Sequence, residues 1–124
     1  MIVLIDSWAW IEFFKGSKAG EKVKDFISGS DIAVISAINM AEVYRWFLGS
    51  YTETEAEEAR GVIKETCYVV PVTEAIAVNA AKIKHKKKWG LGDSIAYATA
   101  KQEKAEVITG DPDFKGIKDV VFIG

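Results

Sequence analysis

The chain has 124 residues, 49% of them hydrophobic and 27% charged, with two prolines. This is one ordinary domain spanning residues 1–124, able to bury roughly two-thirds of the surface its unfolded form exposes and too apolar for an intrinsically disordered chain. A formal net charge of −2 argues against a surface coated in positive charge for nucleic-acid binding, and a lone cysteine, Cys67, excludes an internal disulfide.

The opening run from Ile2 to Ile5 stops at Asp6 and has no basic leader, so it reads as a strand and not as a signal peptide. A helix over Trp8–Phe14 and another over Ala19–Ser28 follow. Ile32–Ile35 is the second strand, and the uncharged stretch from Ile32 to Ala41 is only about half of the ~20 residues a membrane span needs. Helices are then expected over Ala37–Leu48 and Thr54–Lys64, a third strand over Tyr68–Val72, and helices over Glu74–Lys87 and Ser94–Glu103. Strands at Glu106–Ile108 and Val120–Ile123 complete the chain. Ser7, Ser36 and Thr73 are suited to cap the helices they precede. Apolar runs that are continuous, not alternating, suit strands covered on both faces, so the alternation of strand and helix implies a parallel α/β sheet. With one cysteine, expected to be a buried inert thiol, and no candidate membrane span, a cytoplasmic protein is expected.

In such sheets ligands collect beyond the carboxyl ends of the strands. Asp6 directly follows the first strand, Asp111 lies three residues beyond Ile108, and Glu42 falls one helical turn after Asn39 in the helix that follows the second strand. Asp93 is placed at the start of its helix, where the backbone dipole favours an anion. Carboxylates converging on one edge repel one another unless a cation neutralises them, and hard divalent ions prefer oxygen donors. The residues therefore point to a metal site. The one histidine, His85, stands apart in a lysine run, which excludes a two-histidine ribonuclease mechanism.

Four segments, Ile-Asp-Ser at the N-terminus, Ser-Ala-Ile-Asn-Met-Ala-Glu-Val, Leu-Gly-Asp-Ser-Ile-Ala-Tyr-Ala-Thr-Ala and Ile-Thr-Gly-Asp-Pro-Asp-Phe, together resemble a PIN domain. More narrowly, they resemble the VapC-type ribonuclease toxins of prokaryotic toxin-antitoxin systems. The resemblance implies a single PIN-like domain with a five-stranded sheet in the order 3-2-1-4-5. It implies that Asp6, Glu42, Asp93 and Asp111 form an acidic quartet that binds one or two Mg²⁺ or Mn²⁺ ions and hydrolyses RNA by a metal-activated water. Asp6 and Asp93 are the first choices as direct ligands, and Glu42 and Asp111 as outer ligands or groups that orient the water. Thr109, Asn39 and Ser7 are expected to support them by hydrogen bonds. Asp113 is assigned no firm role. Lys86, Lys87 and Lys88, in a stretch that concentrates five lysines from Lys82 to Lys88, are the candidate RNA-phosphate contacts; a solvated helix end is the plain alternative.

The first helix carries Trp8, Trp10, Ile11, Phe13 and Phe14, and the third carries Tyr44, Trp46, Phe47 and Leu48, more apolar surface than one stripe holds. That excess suggests a partner, and the resemblance implies a homodimer and a cognate antitoxin. The competing function is a PIN-like module that holds RNA or protein without cutting. A phosphoacceptor receiver domain fits less well, because Asp6 is followed by Ser7-Trp8 and not by a second acid.

Overall fold

The computed structural model describes residues 1–124. In chain order it contains β1 (Ile2–Ile5), α1 (Ser7–Lys15), α2 (Lys18–Ser28), β2 (Ile32–Ser36), α3 (Ala37–Ser50), α4 (Glu53–Thr66), β3 (Tyr68–Val70), α5 (Glu74–Lys87), α6 (Leu91–Glu103), β4 (Glu106–Thr109) and β5 (Val120–Phe122), with a 3-10 turn at Pro112–Phe114. The five strands form one sheet in the order β3-β2-β1-β4-β5, and every pairing is parallel. No helix is long and apolar enough to cross a membrane.

The continuous apolar runs have a direct explanation in the two layers that cover the sheet. Side chains alternate across a strand. Val3, Ile5, Ala33, Ile35 and Ile108 therefore face one buried cluster, which includes residues of α1 to α4. Leu4, Val34 and Val107 face a second cluster, built with α5 and α6. With both faces buried, no position in β1 beyond Ile2 is free to be polar.

Most boundaries agree with the expected ones, and the exceptions have local causes. β3 ends at Val70, two residues early, because Pro71 has no N–H with which to continue a ladder. α6 begins at Leu91, so Asp93 lies inside its first turn, and the Ser94 hydroxyl donates back to the Gly90 carbonyl at 2.9 Å. Ser36 and Thr73 cap α3 and α5 as expected. Ser7 does not cap α1. It is the first helical residue, and the cap is Asp6, whose Oδ1 accepts from the Ala9 amide at 2.9 Å.

The aromatic residues of α1 are largely used inside the molecule. Trp10 is fully buried and packs against Phe13 and Phe14, and Phe14 meets Phe47 edge to face at 5.1 Å between ring centroids. Exposed apolar side chains include Leu48 and Tyr51 at the end of α3, Tyr68 on the edge strand β3, which is 74% exposed, and Ile32, Val78 and Leu91. Cys67 is free and buried, and burial pushes its thiol up to about 12, which makes it unreactive.

α1 and α2 approach so closely that Gly20 lies on the backbone of α1: a Cβ there would stand 2.3 Å from the Glu12 carbonyl oxygen and 2.9 Å from Phe13 Cα. Backbone atoms cannot swing aside, so Gly20→Ala should destabilise by about 1–3 kcal/mol. A Cβ on Gly61, within α4, meets nothing within 4 Å. Gly61→Ala should therefore stabilise by up to about 1 kcal/mol through helix propensity. Urea denaturation of the two variants checks the opposite signs.

Candidate active site

The register of the three central strands assembles the site. Leu4 pairs with Val34 and Ile5 pairs with Ile108. Two residues beyond the Leu4–Val34 pair and one beyond the Ile5–Ile108 pair, that register sets Asp6, Ser36 and Thr109 side by side at the carboxyl edge. The Asp6 amide donates to the Ile108 carbonyl at 3.3 Å, which ties the end of β1 to β4.

Asp6 is 3% exposed. Burial raises its pKa to about 7; the Thr109 hydroxyl and the Ala9 amide pull it back, while the charges of Asp93 and Asp111 push it further up. Asp93, the third residue of α6, is raised to about 6, by burial first and then by the charges of Asp111, Glu42 and Asp113. The carboxylates expected from sequence are therefore close enough to resist each other's ionisation.

Glu42 comes from the second turn of α3. Its Oε1 accepts from the Ser7 hydroxyl at 3.0 Å and from Asn39 Nδ2 at 3.2 Å. Both supporting residues thus act on the same carboxylate oxygen, one from α1 and one from the preceding turn of α3. Thr109 supports the loop after β4: its Oγ1 accepts from the Asp111 amide at 3.0 Å, and Asp111 Oδ1 in turn accepts from the Asp113 amide at 3.0 Å. An aspartate followed by proline favours this turn, and the turn brings Asp113 into the site.

Asp113 is the residue that sequence reasoning left without a role. Asp93, Asp111 and Asp113 each offer a carboxylate oxygen within 4.8 Å of the others, the tightest group of potential ligands in the structure. Asp6 and Glu42 stand outside that triplet, near enough for their charges to count. The Asp-Pro-Asp spacing was the available signal, since two acids flanking the first residue of a 3-10 turn are brought to one side of it.

The donor set fits a hard divalent cation. Every candidate ligand is an oxygen. No lysine or arginine neutralises the acids, because the ion pairs join Met1 to Asp31, Lys15 to Glu12 and Arg60 to Glu57. The buried Asn39 Oδ1 has no hydrogen-bond partner, leaving an acceptor next to Glu42 for a water or an ion's hydration shell.

The lysine run is placed less closely. Lys86, Lys87 and Lys88 are exposed at the C-terminal end of α5. Lys87 Nζ lies over the Trp89 ring at 5.3 Å, and Lys84 Nζ donates to the Trp89 carbonyl at 2.9 Å, so two lysines anchor the connection into α6. A cavity of about 530 Å³ between α5 and α6 is lined by Lys82, Lys101, Asn79 and Gln102 and contains none of the acids. The site is identified by charge and donor chemistry, not by depth. His85 is exposed and takes no part.

Comparison with known proteins identifies the fold and the family. A search of curated proteins by sequence gave no match. Among solved structures, the chain is similar to a toxin-antitoxin complex from Klebsiella pneumoniae, with a TM-score of 0.80, 26% identity and 98% of each chain covered. It is also similar in fold to VapBC2 from Rickettsia felis bound to a promoter DNA fragment, with a TM-score of 0.78 and 14% identity over 98% of this chain and 97% of that one. Mycobacterium tuberculosis VapC20, a sarcin-ricin loop cleaving toxin, shares the fold with a TM-score of 0.76 and 15% identity over 94% and 95% of the two chains. The PIN domain family model matches residues 3–120. With that match spanning β1 to β4 and all the acids of the site, the chain belongs to the PIN domain family.

Proposed function

We propose that this protein is a divalent-metal-dependent endoribonuclease and the toxin of a toxin-antitoxin pair. The observation that carries this is the convergence of Asp6, Glu42, Asp93, Asp111 and Asp113 at the carboxyl edge without a compensating basic side chain, with two of the acids raised to about 7 and about 6. A binding module gains nothing from acids that repel each other and the phosphates of RNA.

Asp93 and Asp111 would hold Mg²⁺ or Mn²⁺, one ion or two, with Asp113 completing the tight group and Asp6 behind it. When bound, the ion supplies Lewis acidity and lowers the pKa of an attacking water. The chain's own contribution is placement. Ser7 and Asn39 fix Oε1 of Glu42, so Oε2 is the oxygen left to orient a water or accept its proton. Thr109 holds the Asp111 loop through the amide. Lys86, Lys87 and Lys88, at the connection into the helix that carries Asp93, would bind RNA phosphates on the approach to the acids. The Klebsiella neighbour is a toxin-antitoxin complex, and VapC20 is a sarcin-ricin loop cleaving toxin. These likenesses support a cognate antitoxin and an RNA substrate; a homodimer in the cytoplasm is part of the same proposal and rests on the family resemblance.

Calorimetric titration of Mn²⁺ into wild type and into Asp93→Asn tests the proposal. Binding and RNA cleavage by the wild type, both lost in the variant while its circular dichroism is unchanged, are expected. A folded wild-type protein that binds RNA but neither binds Mn²⁺ nor cuts would instead be the non-catalytic module.

Stability gives a second test. In metal-free protein Asp6 and Asp93 hold protons more tightly folded than unfolded. Their contribution is therefore fully present below the ordinary value of 3.8 and is lost as pH rises through about 6 and about 7. In chelator, the Tm of the wild type should fall from pH 5 to pH 8, and Mn²⁺ should restore it more at pH 8 than at pH 5. Asp6→Asn keeps an efficient helix cap and removes the charge, so it should flatten the fall, raise Tm at pH 8 and weaken Mn²⁺ binding.

A further inference from the structure

Gly92 is the second residue of α6 and directly precedes Asp93. Its φ does not demand glycine: the glycines with positive φ are Gly16 and Gly116. Space does. A Cβ built at Gly92 would lie 2.7 Å from Glu42 Oε2, 3.3 Å from Glu42 Cδ and 3.5 Å from Glu42 Oε1. The nearest neighbours of that empty position are thus all one carboxylate, and no backbone is among them.

A glutamate end is normally flexible, and a methyl pressed against it displaces it at little cost to the fold. Glu42 is not free in this way, because its Oε1 accepts from Ser7 Oγ at 3.0 Å and from Asn39 Nδ2 at 3.2 Å. Pushing on Oε2 rotates the carboxylate away from those donors. The consequence falls on the site far more than on the core.

We propose that Gly92 is a positioning residue: by presenting no Cβ, it lets the first turn of α6 close on Glu42, so that the Glu42 carboxylate and the adjoining Asp93 share one site at a fixed spacing. The closeness is also felt electrostatically, since the charge of Glu42 is among the causes that raise Asp93. The role in metal binding rests on the nuclease reading above; the contact between Gly92 and Glu42 does not.

The test combines a stability cycle with a metal titration. Thermal melts in chelator are measured for wild type, Gly92→Ala, Glu42→Ala and the double variant, and Mn²⁺ is titrated calorimetrically into wild type and Gly92→Ala. With Glu42 removed, alanine at position 92 should act as an ordinary helix former and raise Tm by about 2–4 °C. With Glu42 present, the same substitution should give a smaller gain or a loss. The folded Gly92→Ala protein should bind Mn²⁺ roughly 10- to 100-fold more weakly, the size seen when a group that orients a ligand is disturbed. Equal Tm shifts in the two backgrounds overturn the contact, and unequal shifts with wild-type Mn²⁺ affinity overturn the positioning role. A wild-type protein with no Mn²⁺ affinity overturns the nuclease reading instead, and the stability cycle alone then decides whether Gly92 sets Glu42.

Discussion

A carboxylate buried at the end of the central strand is the constraint around which the rest of this protein is arranged. Asp6 is 3% exposed, flanked by β4, and ionises only against desolvation and against the charges of Asp93 and Asp111. An isolated buried charge is too costly to keep. The structure offsets the cost locally, because Asp6 is also the cap of α1 and accepts from the Ala9 amide. It does not remove the cost, since no basic side chain reaches the acid. The remaining imbalance is what a cation held at this edge, as proposed, would offset.

The same economy recurs around the site. Asp111 caps the 3-10 turn by accepting from the Asp113 amide, and Ser7, the first residue of α1, bonds Glu42 on α3. Groups with chemical work to do are held by the same hydrogen bonds that terminate helices and shape loops. This makes the arrangement rigid without extra residues, because the oxygens are placed by the ends of elements that the two buried clusters fix. On the proposed reading it also ties function to fold: a substitution that removes charge from the edge would favour the folded state and work against metal binding.

Packing sets how near the elements can come. Gly20 lets α1 and α2 touch backbone to backbone, and the aromatic residues of α1 then fill the space toward α3, with Phe14 against Phe47. The apolar excess of α1 is therefore mostly internal and is weaker evidence for a partner than its composition suggested. Apolar surface remains at Leu48, Tyr51 and Tyr68, and also at Leu91, two residues before Asp93.

The alternation of strands and helices, the boundaries of most elements and the identity of four of the acids could be read from the sequence. The reasons are short in range: two-sided burial makes a strand continuously apolar, Ser and Thr announce helix starts, and an acid immediately after such a run stands out. The strand order was available only through resemblance, because nothing in local spacing says which strand lies beside which. Other features required the assembled molecule. That Asp6 and not Ser7 caps α1, that Asp113 joins Asp93 and Asp111, and that Gly92 faces Glu42 all depend on where elements distant in the chain meet. Sequence by itself determined which residues are chemically able to form the site, since that is a property of side chains and local periodicity; only the tertiary structure decided which oxygens converge, since that is set by strand register and by how closely α3 and α6 pack across the carboxyl edge.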